Sequence, residues 1–275
     1  MTFATNVRPV AAALFARVLV GVDGSEAGLQ AAFQAGRLVE PEGTLELTTA
    51  IYLIDANLQH WPHEQVQATL ELEGGPALRA ASLRAGPRAT LQLLNGPATQ
   101  TLLEEAERYG ATVTVVGSHE HNALSEMLIG GVAGPLLHEA PCSVLIARPA
   151  IREALFPASV TVGIDGSPAS LDALAVAEHV SARFGAALRV VLARHGDVDV
   201  VHAELRAPQL EIVDGSAVNV LVDASASADL VIVGSRGLHG LSALGSVSER
   251  LAHRATSSVL VVRRRPHPHD AHDAT

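Results

Sequence analysis

Two hydrophobic patterns alternate along the chain. Short apolar runs, such as Val18-Leu19-Val20-Gly21-Val22 and Val113-Thr114-Val115-Val116, read as strands. Such runs are expected where helices cover both faces of a parallel sheet. They fall near 17–22, 45–53, 89–94, 112–117 and 143–148, then near 159–164, 187–194, 209–213, 229–234 and 258–263. Between them the spacing predicts helices near 26–39, 64–82, 98–109 and 131–139, then near 168–184, 216–226 and 246–254. Ser167 followed by Pro168 is a helix start, a capping hydroxyl and then proline at the first helical position.

The pattern repeats because the sequence does. Arg17-Val18-Leu19-Val20-Gly21-Val22-Asp23-Gly24-Ser25 returns as Val160-Thr161-Val162-Gly163-Ile164-Asp165-Gly166-Ser167. Thr112-Val113-Thr114-Val115-Val116-Gly117-Ser118 returns as Asp229-Leu230-Val231-Ile232-Val233-Gly234-Ser235, and Ser143-Val144-Leu145-Ile146-Ala147-Arg148 as Ser258-Val259-Leu260-Val261-Val262-Arg263. Three matched segments in one order imply two homologous α/β domains, at 1–150 and 157–265, with a period too long for a solenoid. Pro149–Ala158 reads as the linker and 266–275 as a flexible tail. About 33 residues, Asp55 to Pro87, separate strands two and three of the first half, against about 13, His195 to Ala207, in the second. The second half is therefore expected to lack most of one helix. The last strands, Val144–Ala147 and Val259–Val262, are predicted sheet edges, and apolar edges invite pairing.

Composition removes several function classes. All 19 basic residues are arginine, so no P-loop lysine, Schiff base or lysine general base exists. A formal charge of −10 argues against nucleic-acid binding, and 3% aromatic content against a base-stacking platform. The single cysteine, Cys142, excludes an intrachain disulfide, a C-x-x-C motif and a cysteine-rich zinc site, and reads as a buried structural thiol. The apolar stretch Pro9–Ala16 behind Arg8 has the look of a weak signal core, but Arg17 interrupts it. No apolar run reaches the ~18 residues of a membrane span. The expected compartment is the cytoplasm. No G-x-S-x-G or H-E-x-x-H occurs, and no general base is identifiable, so an enzyme is not expected.

In such a fold a ligand sits beyond the C-terminal strand ends, where successive connections leave to opposite faces. Two loops per half meet there. One is Asp23-Gly24-Ser25, or Asp165-Gly166-Ser167; the other follows the fourth strand, from Gly117 or from Gly234. In the second half the latter runs Gly234-Ser235-Arg236-Gly237 and on to Gly245-Ser246-Val247.

With these residues the chain resembles the universal stress protein family, twice over. The family carries a strand ending in Asp and a G-x2-G-x9-G-[ST] loop after strand four. The resemblance implies a tandem protein of doubly wound five-stranded domains, strand order 3-2-1-4-5, with ATP or another adenine nucleotide at strands one and four. Members lacking the loop bind none. In the family the last strands join domains into dimers. That implies pairing of the two halves within one chain through these strands, and a homodimer of such chains. A role as nucleotide-dependent stress regulator with a downstream signalling partner is implied likewise.

The second half fits better. Gly234 and Gly237 would let the backbone approach a phosphate, and the helix opened by Gly245-Ser246 offers free N–H groups to an anion. Those amides, Arg236 and Mg²⁺ would supply the neutralisation that lysine cannot. By resemblance Asp165 and Gly166 would meet the nucleotide or its metal, and Ser246 and Val247 the phosphates. Seven residues rather than nine separate Gly237 from Gly245. In the first half Asp23, Gly24, Gly117, Gly130 and Gly131 hold the matching positions, but Glu120 replaces the second loop glycine and no Ser or Thr follows Gly131. A carboxylate ~4 Å from a phosphate costs roughly 4 kcal/mol at an effective dielectric of 20.

Plainer readings stand beside these. Ser246-Val247-Ser248-Glu249 is also a capping box, and Asp23 and Asp165 can serve as turn or cap residues. His119-Glu120-His121 has metal-binding chemistry but no third ligand; His267, His269 and His272 read as a solvated tail, and Trp61 as packing or lid. The alternatives in function are an interaction module with vestigial pockets and, less favoured, a nucleotide-hydrolysing enzyme.

Overall fold

The structure, a computed structural model, describes residues 14–53, 61–118, 131–194, 209–235 and 245–263. Strands β1 (Arg17–Gly21), β2 (Thr44–Ile51), β3 (Ala89–Asn95), β4 (Val113–Gly117) and β5 (Ser143–Ala147) alternate with helices α1 (Glu26–Leu38), α2 (His63–Ala85), α3 (Ala98–Tyr109) and α4 (Ala133–Glu139). The second half supplies β6 (Ser159–Gly163), α5 (Pro168–Phe184), β7 (Ala187–Arg194), β8 (Leu210–Asp214), α6 (Ala217–Ser225), β9 (Leu230–Gly234), α7 (Ser246–Arg254) and β10 (Ser258–Val262). Every strand and helix expected within the described residues is present. The segment expected to have lost a helix, His195–Ala207, lies outside them, as does the tail.

All ten strands form one sheet, in the order β3-β2-β1-β4-β5-β10-β9-β6-β7-β8. Within each half the pairs are parallel and the order is the expected 3-2-1-4-5. The halves join where β5 meets β10 antiparallel, with Val259 opposite Ile146, Leu260 opposite Leu145 and Val261 opposite Val144. The two apolar edges expected to seek partners thus cover each other inside one chain.

The helices lie in two layers, and each layer's core is continuous across the seam. On one face α1, α2 and α5 cover Val18, Val20, Leu145, Leu260 and Ile232. On the other α3, α4, α6 and α7 cover Leu19, Val144, Ile146, Val259 and Val231. Both faces of the central strands are therefore buried, which is why their sequences are apolar without alternation. Full burial of each such side chain contributes roughly 1.5–3 kcal/mol.

Polar contacts pin the same seam. The amide of Arg148 donates to Ser258 Oγ at 3.0 Å, and that of Arg263 to Ser143 Oγ at 3.0 Å, a reciprocal pair. Arg183 of α5 donates to the carbonyls of Leu38 and Val39 at 2.6 Å each, closing the C-terminus of α1. The expected linker packs against the first half. Phe156 is fully buried against Phe33, and its carbonyl accepts from Arg37 Nε at 3.1 Å. Glu153 pairs with Arg84 at 2.7 Å and with Gln30 at 3.1 Å.

One buried polar cluster stands apart from the seam. Glu46 of β2 and Glu105 of α3 are both buried, and Arg108 donates to both Glu105 oxygens. Arg108 lies 3.9 Å from Glu46, Thr48 donates to Glu46 at 3.5 Å, and Tyr109 donates to Thr44 at 2.6 Å. Burial, then the neighbouring Glu105 carboxylate, pushes Glu46 from 4.5 up to about 7. Because the folded pKa is raised, the fold binds the extra proton between these two values. Stability from Glu46 is then highest below the lower value and is lost as pH climbs through the upper one. Glu46→Gln should remove this dependence. In urea denaturation the variant should gain on the unaltered protein as pH rises from about 5 to about 8, by up to about 3 kcal/mol. A constant difference across that range contradicts the account.

Candidate functional site

Adjacent strands β6 and β9 send their connections to opposite faces of the sheet, β6 through α5 and β9 through α7, and a cleft opens between their C-terminal ends. The cleft has a volume of about 310 Å³. Asp165, Ser167 and Ser170 form one wall, Val191–Ala193 of β7 with Ala217 and Leu221 of α6 an apolar one, and Gly234 with Gly245–Ser248 the third. The equivalent space between β1 and β4 is about 80 Å³, bounded by Asp23, Ser25, Gly117, Leu102 and Val132 among others. Small-molecule sites generally run ≈300–1,000 Å³, so of these two spaces, as bounded by described residues, the second-half cleft is of ligand size.

The Asp-Gly-Ser turns are built alike in both halves. Asp165 Oδ1 accepts from the Ser167 amide at 3.0 Å, Gly166 takes φ +80°, and Ser167 Oγ accepts from the Ser170 amide at 3.3 Å as cap of α5. Asp23 Oδ1 accepts from the amide and hydroxyl of Ser25 at 3.0 and 2.6 Å, Gly24 takes φ +81°, and Ser25 caps α1. Serine is thus the helix cap, while aspartate shapes the turn ahead of it and presents its carboxylate at the cleft.

Gly117 and Gly234 owe their identity to packing. A Cβ on Gly234 would lie 2.4 Å from the Ala169 carbonyl oxygen, and one on Gly117 2.3 Å from the Ala27 carbonyl carbon. The first turn of α1 or α5 crosses its neighbouring strand too closely for any side chain. For Gly234 this packing reason stands beside the expected one, approach of a phosphate.

At the far wall the expected capping box does not form. Gly245 is the N-cap of α7 with no side-chain bond, Ser246 is the first helical residue, and Glu249 turns away to His138 Nε2 of α4 at 3.3 Å. Among the described residues no side chain caps the first amides of α7, which face the cleft; α2 and α3 likewise lack a side-chain cap, while α1, α5 and α6 each carry a serine. Ser248 Oγ donates to the Gly234 carbonyl at 2.9 Å and ties α7 to the end of β9. In the first half α4 has seven residues and begins from Val132, also without a side-chain cap; Gly131 lies in the turn before it, where its carbonyl accepts from Thr99 at 3.4 Å.

The structure thus brings Asp165, Gly234, Gly245, Ser246 and Val247 into one cleft, with Gly166 in the turn beside it. Arg236, Gly237, Gly130 and the His119-Glu120-His121 run lie outside the described residues. Among the described lining residues of the larger cleft, Asp165 alone carries an ionisable side chain. Sequence reasoning missed the apolar wall and the serines at 170 and 248. The S-x-x-S spacing after Asp165 and the matched positions of Ala98 and Leu102 in α3 were the available signals. Cys142 is buried with Sγ 3.2 Å from Thr114 Oγ1, the structural thiol expected.

Comparison with known proteins gives one family. A model described as "Universal stress protein family" matches residues 14–148 and 193–263. A universal stress protein of Mycobacterium tuberculosis is 30% identical over 293 residues, covering 90% of this chain and 97% of its own length. Another from that organism is 33% identical over 217 residues, covering 66% of this chain and 71% of its own. In structure, a universal stress protein from Archaeoglobus fulgidus superposes with a TM-score of 0.72 at 20% identity, covering 92% of this chain and 99% of that one.

Gly234→Ala separates packing from ligand approach. We expect it to destabilise the ligand-free protein by about 2 kcal/mol in urea denaturation, from the forced shift of β9 against α5. Unchanged ligand-free stability would contradict the packing reason.

Proposed function

The chain belongs to the universal stress protein family, and from that premise we propose that its second half binds an adenine nucleotide, ATP with Mg²⁺, and acts as a nucleotide-dependent stress regulator. The observation that carries this reading is the N-terminus of α7, which has no side-chain cap among the described residues and is aimed into a cleft of ligand size at the point where β6 and β9 diverge. A helix N-terminus carries roughly half a positive charge and several amides without intrahelical partners, so it suits a phosphate. No lysine exists to compete for that role.

Each wall has a task in this reading. The amides of Ser246 and Val247 and the hydroxyl of Ser246 would hold phosphate oxygens, while Ser248, whose hydroxyl is given to the Gly234 carbonyl, holds the helix in place. The apolar wall of Val191–Ala193, Ala217 and Leu221 would take the flat base. Asp165 supplies a carboxylate and Ser167 a hydroxyl, both oxygen ligands of the kind Mg²⁺ prefers. The ion would offset the triphosphate charge where the described lining offers no cation. Arg236 would add to that neutralisation. Asp165, the one carboxylate among the described lining residues, is given to the ion in this reading, and we propose a binding device rather than an enzyme, working in the cytoplasm with a downstream protein partner.

The first half favours a second reading for itself. Its space of about 80 Å³ and its short α4 support a structural partner more than a second nucleotide site.

Ser246→Pro tests the proposal. Proline is tolerated at the first position of a helix, so the fold should survive the loss of this amide and hydroxyl. By calorimetry with Mg-ATP, the unaltered chain should bind one nucleotide and the variant about a hundredfold more weakly, the loss of two charge-assisted hydrogen bonds. Equal affinities would remove α7 from the site, and absence of heat in the unaltered chain would remove the nucleotide.

A further inference from the structure

The last residues of β5 and β10 lead into two arginines at equivalent positions, Arg148 and Arg263. Each reaches across the seam to the final helix of the other half. Arg148 is 3% exposed; its Nη2 donates to the Ala252 carbonyl at 2.5 Å and its Nη1 to the Ser257 carbonyl at 3.3 Å. Arg263 Nη2 donates to the Leu137 carbonyl. The symmetry extends to the acceptors. Leu251 and Leu136 bond the amides of Ala255 and Ala140, which leaves Ala252 in α7 and Leu137 in α4 as the next carbonyls lacking an intrahelical donor. Each guanidinium supplies that donor, and its positive charge meets the negative end of the helix.

Arg148 is the more deeply buried of the two. Among the described residues no carboxylate pairs with it, and its Nε has no hydrogen-bond partner. Burial pushes its guanidinium down to about 10, so it keeps its charge at neutral pH. A buried cation is costly, and here two backbone carbonyls, Ala252 of α7 and Ser257 of the turn after it, compensate it. For stability alone, an apolar side chain of similar volume would serve as well.

The contact has a direction. The helix that Arg148 holds at its C-terminus is the one whose N-terminus forms a wall of the second-half cleft, nine residues in all. Ser248 ties that helix to β9 and Glu249 ties it to His138 of the first half. We propose that Arg148 is a positioning residue for the second-half site, so that this site is completed by the first half. Arg263 does the same for α4, which borders the smaller space. The inference rests on the nucleotide reading for its consequence, although the positioning of α7 stands without it.

The test uses the full chain carrying Arg148→Met, Arg148→Lys or Arg263→Met, with two readouts. In hydrogen exchange, Arg148→Met should speed exchange of the α7 amides about tenfold while leaving α4 unchanged, and Arg263→Met should do the reverse. In calorimetry with Mg-ATP, Arg148→Met should weaken binding about tenfold, Arg148→Lys should restore most of it, and Arg263→Met should leave it unchanged. A general loss of stability would move both methionine variants together and give lysine no advantage; that result overturns the proposal. So does unchanged exchange in α7. If the unaltered chain binds no Mg-ATP, the nucleotide reading fails, and the exchange comparison alone decides whether Arg148 positions α7.

Discussion

The antiparallel pairing of β5 with β10 is the constraint on which the rest of this molecule depends. A five-stranded half with an apolar last strand leaves a row of unpaired backbone groups at its edge, and an edge of that kind seeks a partner. Because the two halves are duplicates, their edges are complementary in the way a two-fold interface is, each surface meeting a copy of itself. The seam satisfies both edges at once. It makes one ten-stranded sheet from two and merges each face of the halves into a shared apolar layer.

The seam also organises the polar contacts. Ser143 and Arg148 face Arg263 and Ser258, so the Ser-x4-Arg pattern at the end of each half is read by the other half. On one face α1 and α5 meet through Arg183 and through Glu40, which lies 2.8 Å from His179. On the other α4 and α7 meet through His138 and Glu249. The helices that start at the two clefts therefore end at the seam. In a fold of this type the ligand end of the sheet is normally a local matter of loops. Here one wall of the larger cleft is anchored by the neighbouring half.

Much of this was legible in the sequence. Apolar runs without alternation gave the strands, and the three repeated segments gave the duplication and hence the symmetry. Asp-Gly-Ser located both helix starts, since a capping serine and a glycine at positive φ serve one turn geometry. What the sequence did not record has physical causes. The reason for Gly234 lies in the closeness of α5, a tertiary distance that no local pattern records. The capping box at Ser246 has the right residues, but Glu249 has a better-placed partner in another half of the chain. Pro149–Ala158 has linker composition, yet Phe156 finds a buried place beside Phe33. Glu46 and Glu105 are distant in sequence and meet only when α3 packs on β2. The arginines were visible as the final residues of a repeat; that they cross the seam required the strand register.

The central claim is that the start of α7 is the anion end of a nucleotide site. A crystal structure of the full chain grown with millimolar Mg-ATP tests it most directly. The account places the phosphate chain against the amides of Ser246 and Val247, with the base along β7 and α6. An empty second-half cleft, or a nucleotide bound with its phosphates away from α7, would contradict it.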